Sequence, residues 1–197
     1  MIEFSFKGVK VRFTFWFFAV VTVMLLIDKT GLSLMGLAAC MLHELGHLLA
    51  FFLVGHTPKE ISFEASGIRL VKTSSLLCYP KELLVLLAGS AANLVLSLAF
   101  YRLLPTPGGM LFAAVHLVLG LFNLLPMGAL DGGRIVKLLL LLFCAPDRAD
   151  KISRAISLLV VLPLAAGSLW LFFSSHNITL LITCAYLILL LLFQSSD

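Results

Sequence analysis

Apolar positions along this chain fall in long, unbroken runs rather than in stripes. Six such runs stand out, at about 13–27, 32–54, 82–104, 110–126, 155–174 and 177–193. Roughly 20 apolar residues cover the hydrocarbon core of a bilayer as a helix. A helix is also the open-chain form that satisfies its own backbone in lipid. The pattern therefore predicts six transmembrane helices. A further run, Leu138 to Phe143, is too short to span and is expected to continue the fourth helix or lie in the interface. Two segments alternate instead with period two. Ile2-Glu3-Phe4-Ser5-Phe6 and Val9-Lys10-Val11-Arg12-Phe13 flank Lys7-Gly8. Farther on, Ile61, Phe63 and Ala65 alternate before Gly67, and Ile68 and Leu70 resume afterwards. Such alternation about a glycine predicts short hairpins at the membrane surface, and a polar loop is the other reading of the second segment. The expected fold class is an all-α polytopic membrane protein of about six transmembrane helices with one or two short interfacial β-hairpins. Residues 1–197 are expected to form a single transmembrane domain.

Composition sharpens this picture. Of 197 residues, 61% are hydrophobic and 12% charged, against about 45–50% and about 25% in soluble domains. That excludes a cytosolic enzyme, a nucleic-acid binder and a disordered regulator. The net charge of +4 comes from basic residues flanking the apolar runs, which is a topology signal rather than a phosphate-binding face, so no nucleic-acid partner is expected. With the N-terminus inside, Lys7, Lys10, Arg12, Lys59, Arg69, Lys72, Lys81, Arg134, Lys137, Arg148, Lys151 and Arg154 all fall on the cytoplasmic side. Only Lys29 and Arg102 fall outside. The positive-inside rule then places both termini in the cytoplasm of a multi-pass membrane protein. The first run lacks a small-residue cleavage site and reads as a retained span. Cys40, Cys78, Cys144 and Cys184 are scattered without close pairing and read as free packing residues.

Against this apolar background the ionisable residues at membrane depth carry the chemistry. Of ten acidic residues, Glu44 and Asp131 are the two that fall there. A charged group in hydrocarbon costs about 3 kcal/mol on insertion scales, so such residues are functional candidates by default. Glu44 lies in His43-Glu44-Leu45-Gly46-His47. Residues four apart share a helix face, so both imidazoles can reach one metal ion while Glu44 sits beside them to hold a water. Neutral imidazole suits zinc, and this is the HExxH arrangement of zinc hydrolases. The bland alternative is a pair of packing histidines with a glutamate between them.

Catalytic zinc sites usually have three protein ligands. Asp131 lies at comparable depth, in Asn123-Leu124-Leu125-Pro126-Met127-Gly128-Ala129-Leu130-Asp131-Gly132-Gly133-Arg134. Pro126, Gly128, Gly132 and Gly133 are expected to break a helix there. A broken span carrying a carboxylate fits a third ligand delivered from a neighbouring helix. It also fits a helix that simply ends at the cytoplasmic face.

HELGH in an early span with NLLP…LDGG in a later one resembles the site-2 protease family of intramembrane zinc metalloproteases. It is most similar to the compact stage IV sporulation protein FB branch without a CBS domain. The resemblance implies one zinc ion per chain held by His43, His47 and Asp131, with Glu44 as catalytic base. It also implies that Asn123 positions substrate or stabilises the oxyanion. Where the family carries a proline two residues before the aspartate this chain has Ala129. Its third span reads Ala88-Gly89-Ser90-Ala91-Ala92-Asn93 without the family's Gly-Pro. The implied activity is cleavage of a transmembrane or membrane-associated protein in a bacterial cell membrane. The candidate substrates stay open among a sporulation sigma-factor precursor, an anti-sigma factor and a signal-peptide remnant, with room for an inhibitory membrane partner.

Other polar residues have both plain and functional readings. His116 is expected to be a hydrogen-bonded packing histidine, with a relay or a substitute ligand as the alternative. Cys40 shares a stripe with His43 and His47 at i, i+3 and i+7, and small residues suit helix interfaces. His56 and His176 sit at span ends. Asn93 is expected to support the site by hydrogen bonding across helices. Two other functions remain in view, a membrane metal transporter, which usually carries internal repeats, and an inactive relative that only holds a membrane partner.

Overall fold

The computed structural model describes residues 2–6, 9–56, 60–64, 67–71, 78–128, 130–175 and 179–193. Lys7, Gly8, Lys59, Ala65, Lys72, Ala129 and His176, singled out above, lie outside the described residues. The chain divides into two compact units, Met1–Leu121 and Phe122–Asp197.

The first unit opens with strands β1 (Ile2–Phe6) and β2 (Val9–Phe13), which pair antiparallel with Ile2 opposite Phe13. Strands β3 (Glu60–Glu64) and β4 (Gly67–Val71) pair antiparallel with Glu60 opposite Val71. The two pairs are joined by a parallel β2–β3 ladder, Lys10 opposite Glu60, into one sheet ordered β1-β2-β3-β4. The sequence pattern treats them as separate hairpins. Period-two alternation marks a strand but carries no information about which distant strand it joins.

Helix α1 (Phe15–Ile27) starts where Thr14 Oγ1 accepts the Phe17 N–H at 3.4 Å. Between α1 and α2 (Leu32–Leu53) the Asp28 carboxylate accepts from the Thr30 hydroxyl at 2.6 Å, the Thr30 N–H at 2.8 Å and the Ser33 N–H at 2.5 Å. The last bond satisfies one of the four N–H groups that open any helix without partners. These bonds, the Thr30 hydroxyl first, hold the Asp28 carboxyl down at about 2. At its other end α2 closes on Gly55 at φ 81, with His56 N–H donating to Phe51 O at 3.1 Å and Gly55 N–H to Phe52 O at 3.0 Å. That double bond about a left-handed glycine satisfies the terminal carbonyls.

Helix α3 (Tyr79–Leu103) carries Glu82 in its first turn and Arg102 in its last, each complementing the helix dipole. Its buried residues Val85, Leu86, Gly89, Ser90, Asn93 and Ser97 form one stripe. The stripe packs along the buried face of α2, made of Ala39, His43, His47, Ala50 and Phe51. Two glycines set the separation. A Cβ on Gly46 would stand 2.8 Å from Ala88 O and 2.9 Å from Ala92 Cβ. Small residues of this kind let two backbones approach in lipid. Helix α4 (Pro107–Asn123) is tied to α3 by the Ser97 hydroxyl, which donates to Ala113 O at 2.8 Å.

The second unit holds α5 (Asp131–Leu140), α6 (Pro146–Ser175) and α7 (Thr179–Phe193). Met127, Val161, Leu187 and Leu191 form its core. The Ser157 hydroxyl accepts from Gly128 N–H at 3.0 Å and donates to Ser153 O at 2.9 Å, pinning the turn before α5 to α6.

Among the described residues three helices are long and apolar enough to cross a membrane, Leu32–Leu53, Tyr79–Leu103 and Pro146–Ser174. The apolar runs predict six. The apolar helices Phe15–Ile27, Pro107–Asn123 and Leu180–Leu189 are shorter. At 1.5 Å per residue, the 13 residues of α1 reach about 20 Å, short of a hydrocarbon core of about 30 Å. The run at 110–126 ends as helix at Asn123. The run at 155–174 begins nine residues earlier, because Pro146 suits a first helical position and the charged segment after it is helical too. Leu138 to Leu140 end α5, a helix separate from α4, rather than continuing the fourth helix.

Candidate metal centre

The site begins with two imidazoles stacked one turn apart on α2. His43 and His47 are both buried, and their Nε2 atoms lie 3.1 Å apart. His47 Nδ1 lies 2.7 Å from Val85 O on α3. A carbonyl can only accept, so His47 carries its hydrogen on Nδ1, and its Nε2 presents a lone pair. His43 Nδ1 lies 3.2 Å from Nδ2 of the fully buried Asn93. Both rings sit directly over Gly89, where a Cβ would collide with His47 Nε2 and stand 2.8 Å from His43 Cε1. Two imidazole nitrogens bound to one tetrahedral zinc at about 2.0–2.1 Å would stand about 3.3 Å apart. The His43–His47 spacing therefore fits a shared metal.

Glu44 lies between the two histidines and is half-buried. Cys40, three and seven residues before them on the same helix face, is exposed, while the buried row runs Ala39, His43, His47 at intervals of four. Asn93 joins His43 to a third imidazole, since its Oδ1 lies 2.9 Å from Nδ1 of the fully buried His116. His116 packs beside Phe100 and Phe112, with ring centroids 5.7 Å and 4.6 Å away.

In the second unit Asp131 is the first residue of α5 and is buried. Its carboxylate thus belongs to the positive end of a helix. Gly132 and Gly133, expected to break the helix, are instead part of its first turn. A Cβ on either would collide with the backbone of Leu124 and Leu125 or of Met127. Their role is close backbone approach, and the break lies in residues 124–130, around Pro126 and Gly128. Asn123 ends α4 and is half-buried. His56 closes α2, with Nδ1 3.1 Å from Val54 O. Two contributors carry no sequence signal. The Val85 carbonyl is a backbone group, and Ser157 is one of many serines.

Two buried imidazoles with converging Nε2 atoms, set on one apolar helix that packs against another, are placed so that one metal ion could bind both. Two comparisons bear on the class of the protein. Residues 107–164 match the model of Peptidase family M50, a stretch that includes Asn123 and Asp131. The fold is similar to that of the Site-2 Protease from Methanocaldococcus jannaschii, at 21% identity and a TM-score of 0.70, covering 94% of this chain and 91% of that one. No curated protein sequence matches the chain.

Proposed function

We propose that this protein is an intramembrane zinc metalloprotease that hydrolyses a peptide bond of a membrane-embedded or membrane-associated substrate. The observation carrying this reading is the pair of buried Nε2 atoms 3.1 Å apart, with a half-buried glutamate between the two residues. The match of residues 107–164 to Peptidase family M50 supports the hydrolytic class. His43, His47 and Asp131 would hold the ion, since two imidazoles and a carboxylate, all buried, make a donor set suited to zinc. When bound, zinc supplies Lewis acidity and lowers the pKa of its water toward neutrality.

The rest of the chemistry falls to the protein. The Val85 carbonyl keeps the hydrogen of His47 on Nδ1, which leaves Nε2 as a donor to metal. Glu44 would accept a proton from the attacking water and pass it to the leaving amine. Asn123 would position substrate or donate to the oxyanion, as the family resemblance implies. Exclusion of bulk water by the surrounding helices would strengthen each of these interactions.

Finer parts of the reading rest on resemblance and charge pattern. The chain would work in a bacterial membrane with both termini cytoplasmic, in the manner of the sporulation branch. It would cleave a sigma-factor precursor or an anti-sigma factor, under control of a membrane partner. The test is incubation of the purified protein with a tagged transmembrane substrate, with and without a zinc chelator. Cleavage that stops with the chelator and returns with added zinc is the expected result. Cleavage indifferent to the chelator contradicts a metalloprotease, and transport of metal without cleavage supports a transporter.

A further inference from the structure

A continuous line of buried hydrogen bonds runs away from the candidate metal centre inside the first unit. It passes from His47 to His43 at 3.1 Å, from His43 to Asn93 at 3.2 Å, and from Asn93 to His116 at 2.9 Å. His43, Asn93 and His116 are each buried, the last two completely. The line ends at His116 Nε2, which is buried and has no hydrogen-bond partner among the described residues.

Such a line can run in two directions, because a neutral imidazole donates from one nitrogen and accepts at the other. With Asn93 Nδ2 toward His43, the amide donates to His43 Nδ1, and the ring's own hydrogen sits on Nε2. His116 then donates from Nδ1 to Asn93 Oδ1, and its Nε2 is a lone pair without a donor. A half-turn of the amide reverses both links of Asn93 and leaves the His47–His43 contact without a hydrogen, two lone pairs facing one another. His43 Nδ1–H then donates to Oδ1, Nδ2–H donates to His116 Nδ1, and the His116 hydrogen moves to Nε2. Only the second direction leaves His43 Nε2 free to bind a metal, since a ligating nitrogen must offer a lone pair. It also changes the orphaned lone pair of His116 into an N–H, beside the rings of Phe100 and Phe112.

We propose that Asn93 and His116 are positioning residues that set the tautomer of His43, and that zinc binding selects the direction in which the Asn93 oxygen faces His43. This rests on the zinc site argued above. The switch balances without an added reagent. Each imidazole gives up one hydrogen to water and takes one back at its other nitrogen, and every group stays neutral.

The test uses full-length protein labelled with 15N-histidine, stripped of metal and then titrated with zinc. Its first readout is zinc uptake by the wild type. Failure there overturns the zinc site itself, before any statement about Asn93 is reached. With uptake established, the expected result is that the His116 hydrogen moves from Nδ1 to Nε2 as zinc binds. A His116 tautomer indifferent to zinc overturns the proposal.

Zinc affinity, measured by chelator competition, supplies the second readout. Asn93→Leu should weaken binding about 10–100-fold, the range for groups that orient a metal-ligating histidine. Asn93→Asp should restore it, because a carboxylate only accepts and needs no turning. His116→Phe should weaken binding in the wild type and have no effect in the Asn93→Asp background. A residue that merely fills space predicts the opposite order, with Asn93→Leu better tolerated than a buried carboxylate. That order, or a His116→Phe effect unchanged by Asn93→Asp, overturns the relay.

Discussion

Gly89 decides whether two imidazoles can meet over α3. A methyl group there would collide with His47 Nε2 and approach His43 Cε1 to 2.8 Å. Alanine is otherwise the better helix residue by about 1 kcal/mol, so any loss on substitution comes from the rings and not from the helix. Gly89→Ala should therefore lower zinc affinity by about 10–100-fold, as displaced ligand support does, while the protein still folds. Chelator competition on the purified variant checks this, and wild-type affinity would mean that the rings do not rest on Gly89. At this scale much is legible in the sequence. A spacing of four in HELGH is enough to put both histidines on one helix face. Asn93 is expected to reach across helices, and its amide lies 3.2 Å from His43. The hydrogen-bond partner of His47 is not legible, because a backbone carbonyl has no letter in the sequence. Cys40 keeps the helix stripe that its spacing gives it and is nevertheless exposed, because only packing against α3 decides which side of that face is buried, namely 39, 43 and 47.

Element boundaries follow apolarity less closely than element existence does. Helix α6 runs back through Arg148, Lys151 and Arg154 to Pro146, since helix formation does not require apolar residues. Gly132 and Gly133 read as breakers, yet both lie within α5, where the lack of a side chain admits the backbone of Leu124 to Met127. The parallel joining of β2 to β3 cannot be read from alternation, because pairing across 50 residues leaves no local trace. The turn before α5 is tied to α6 through the Ser157 hydroxyl. Ser157 accepts from Gly128 N–H at 3.0 Å, and an unsatisfied donor of this kind costs about 1–3 kcal/mol. Ser157→Ala should lower unfolding stability in detergent by that amount and loosen the segment that leads to Asp131. Ser157→Thr, which keeps the hydroxyl, should lose less. Equal melting of wild type and Ser157→Ala would mean that the turn stands without α6.

Among the described residues many large apolar side chains are exposed and a set of polar ones is buried. Leu159, Trp170 and Phe173 are 75%, 69% and 73% exposed, while Ser90, Asn93, His116, Ser157 and Ser168 are almost fully buried. In water this distribution would be unstable, and in lipid it is the favoured one, because tails solvate leucine and the interior satisfies the polar groups. Composition alone predicts this reversal. The buried polar set divides by purpose. Ser97 ties α3 to α4 and Ser157 ties the turn before α5 to α6, whereas His43 and His47 turn their Nε2 atoms toward one another at 3.1 Å. Asp131 cannot be assigned from sequence alone, because an aspartate at a helix start is also an ordinary turn residue.

The most direct measurement is zinc per protein beside cleavage of a tagged transmembrane substrate, for purified Glu44→Gln and Asp131→Asn. Glu44→Gln should keep its zinc and lose about 10²–10⁴-fold in rate, since an amide cannot take the water's proton. Asp131→Asn should lose zinc and activity together, because it removes an anionic ligand. Full cleavage by Glu44→Gln would contradict the account. So would an Asp131→Asn variant that retains both zinc and activity.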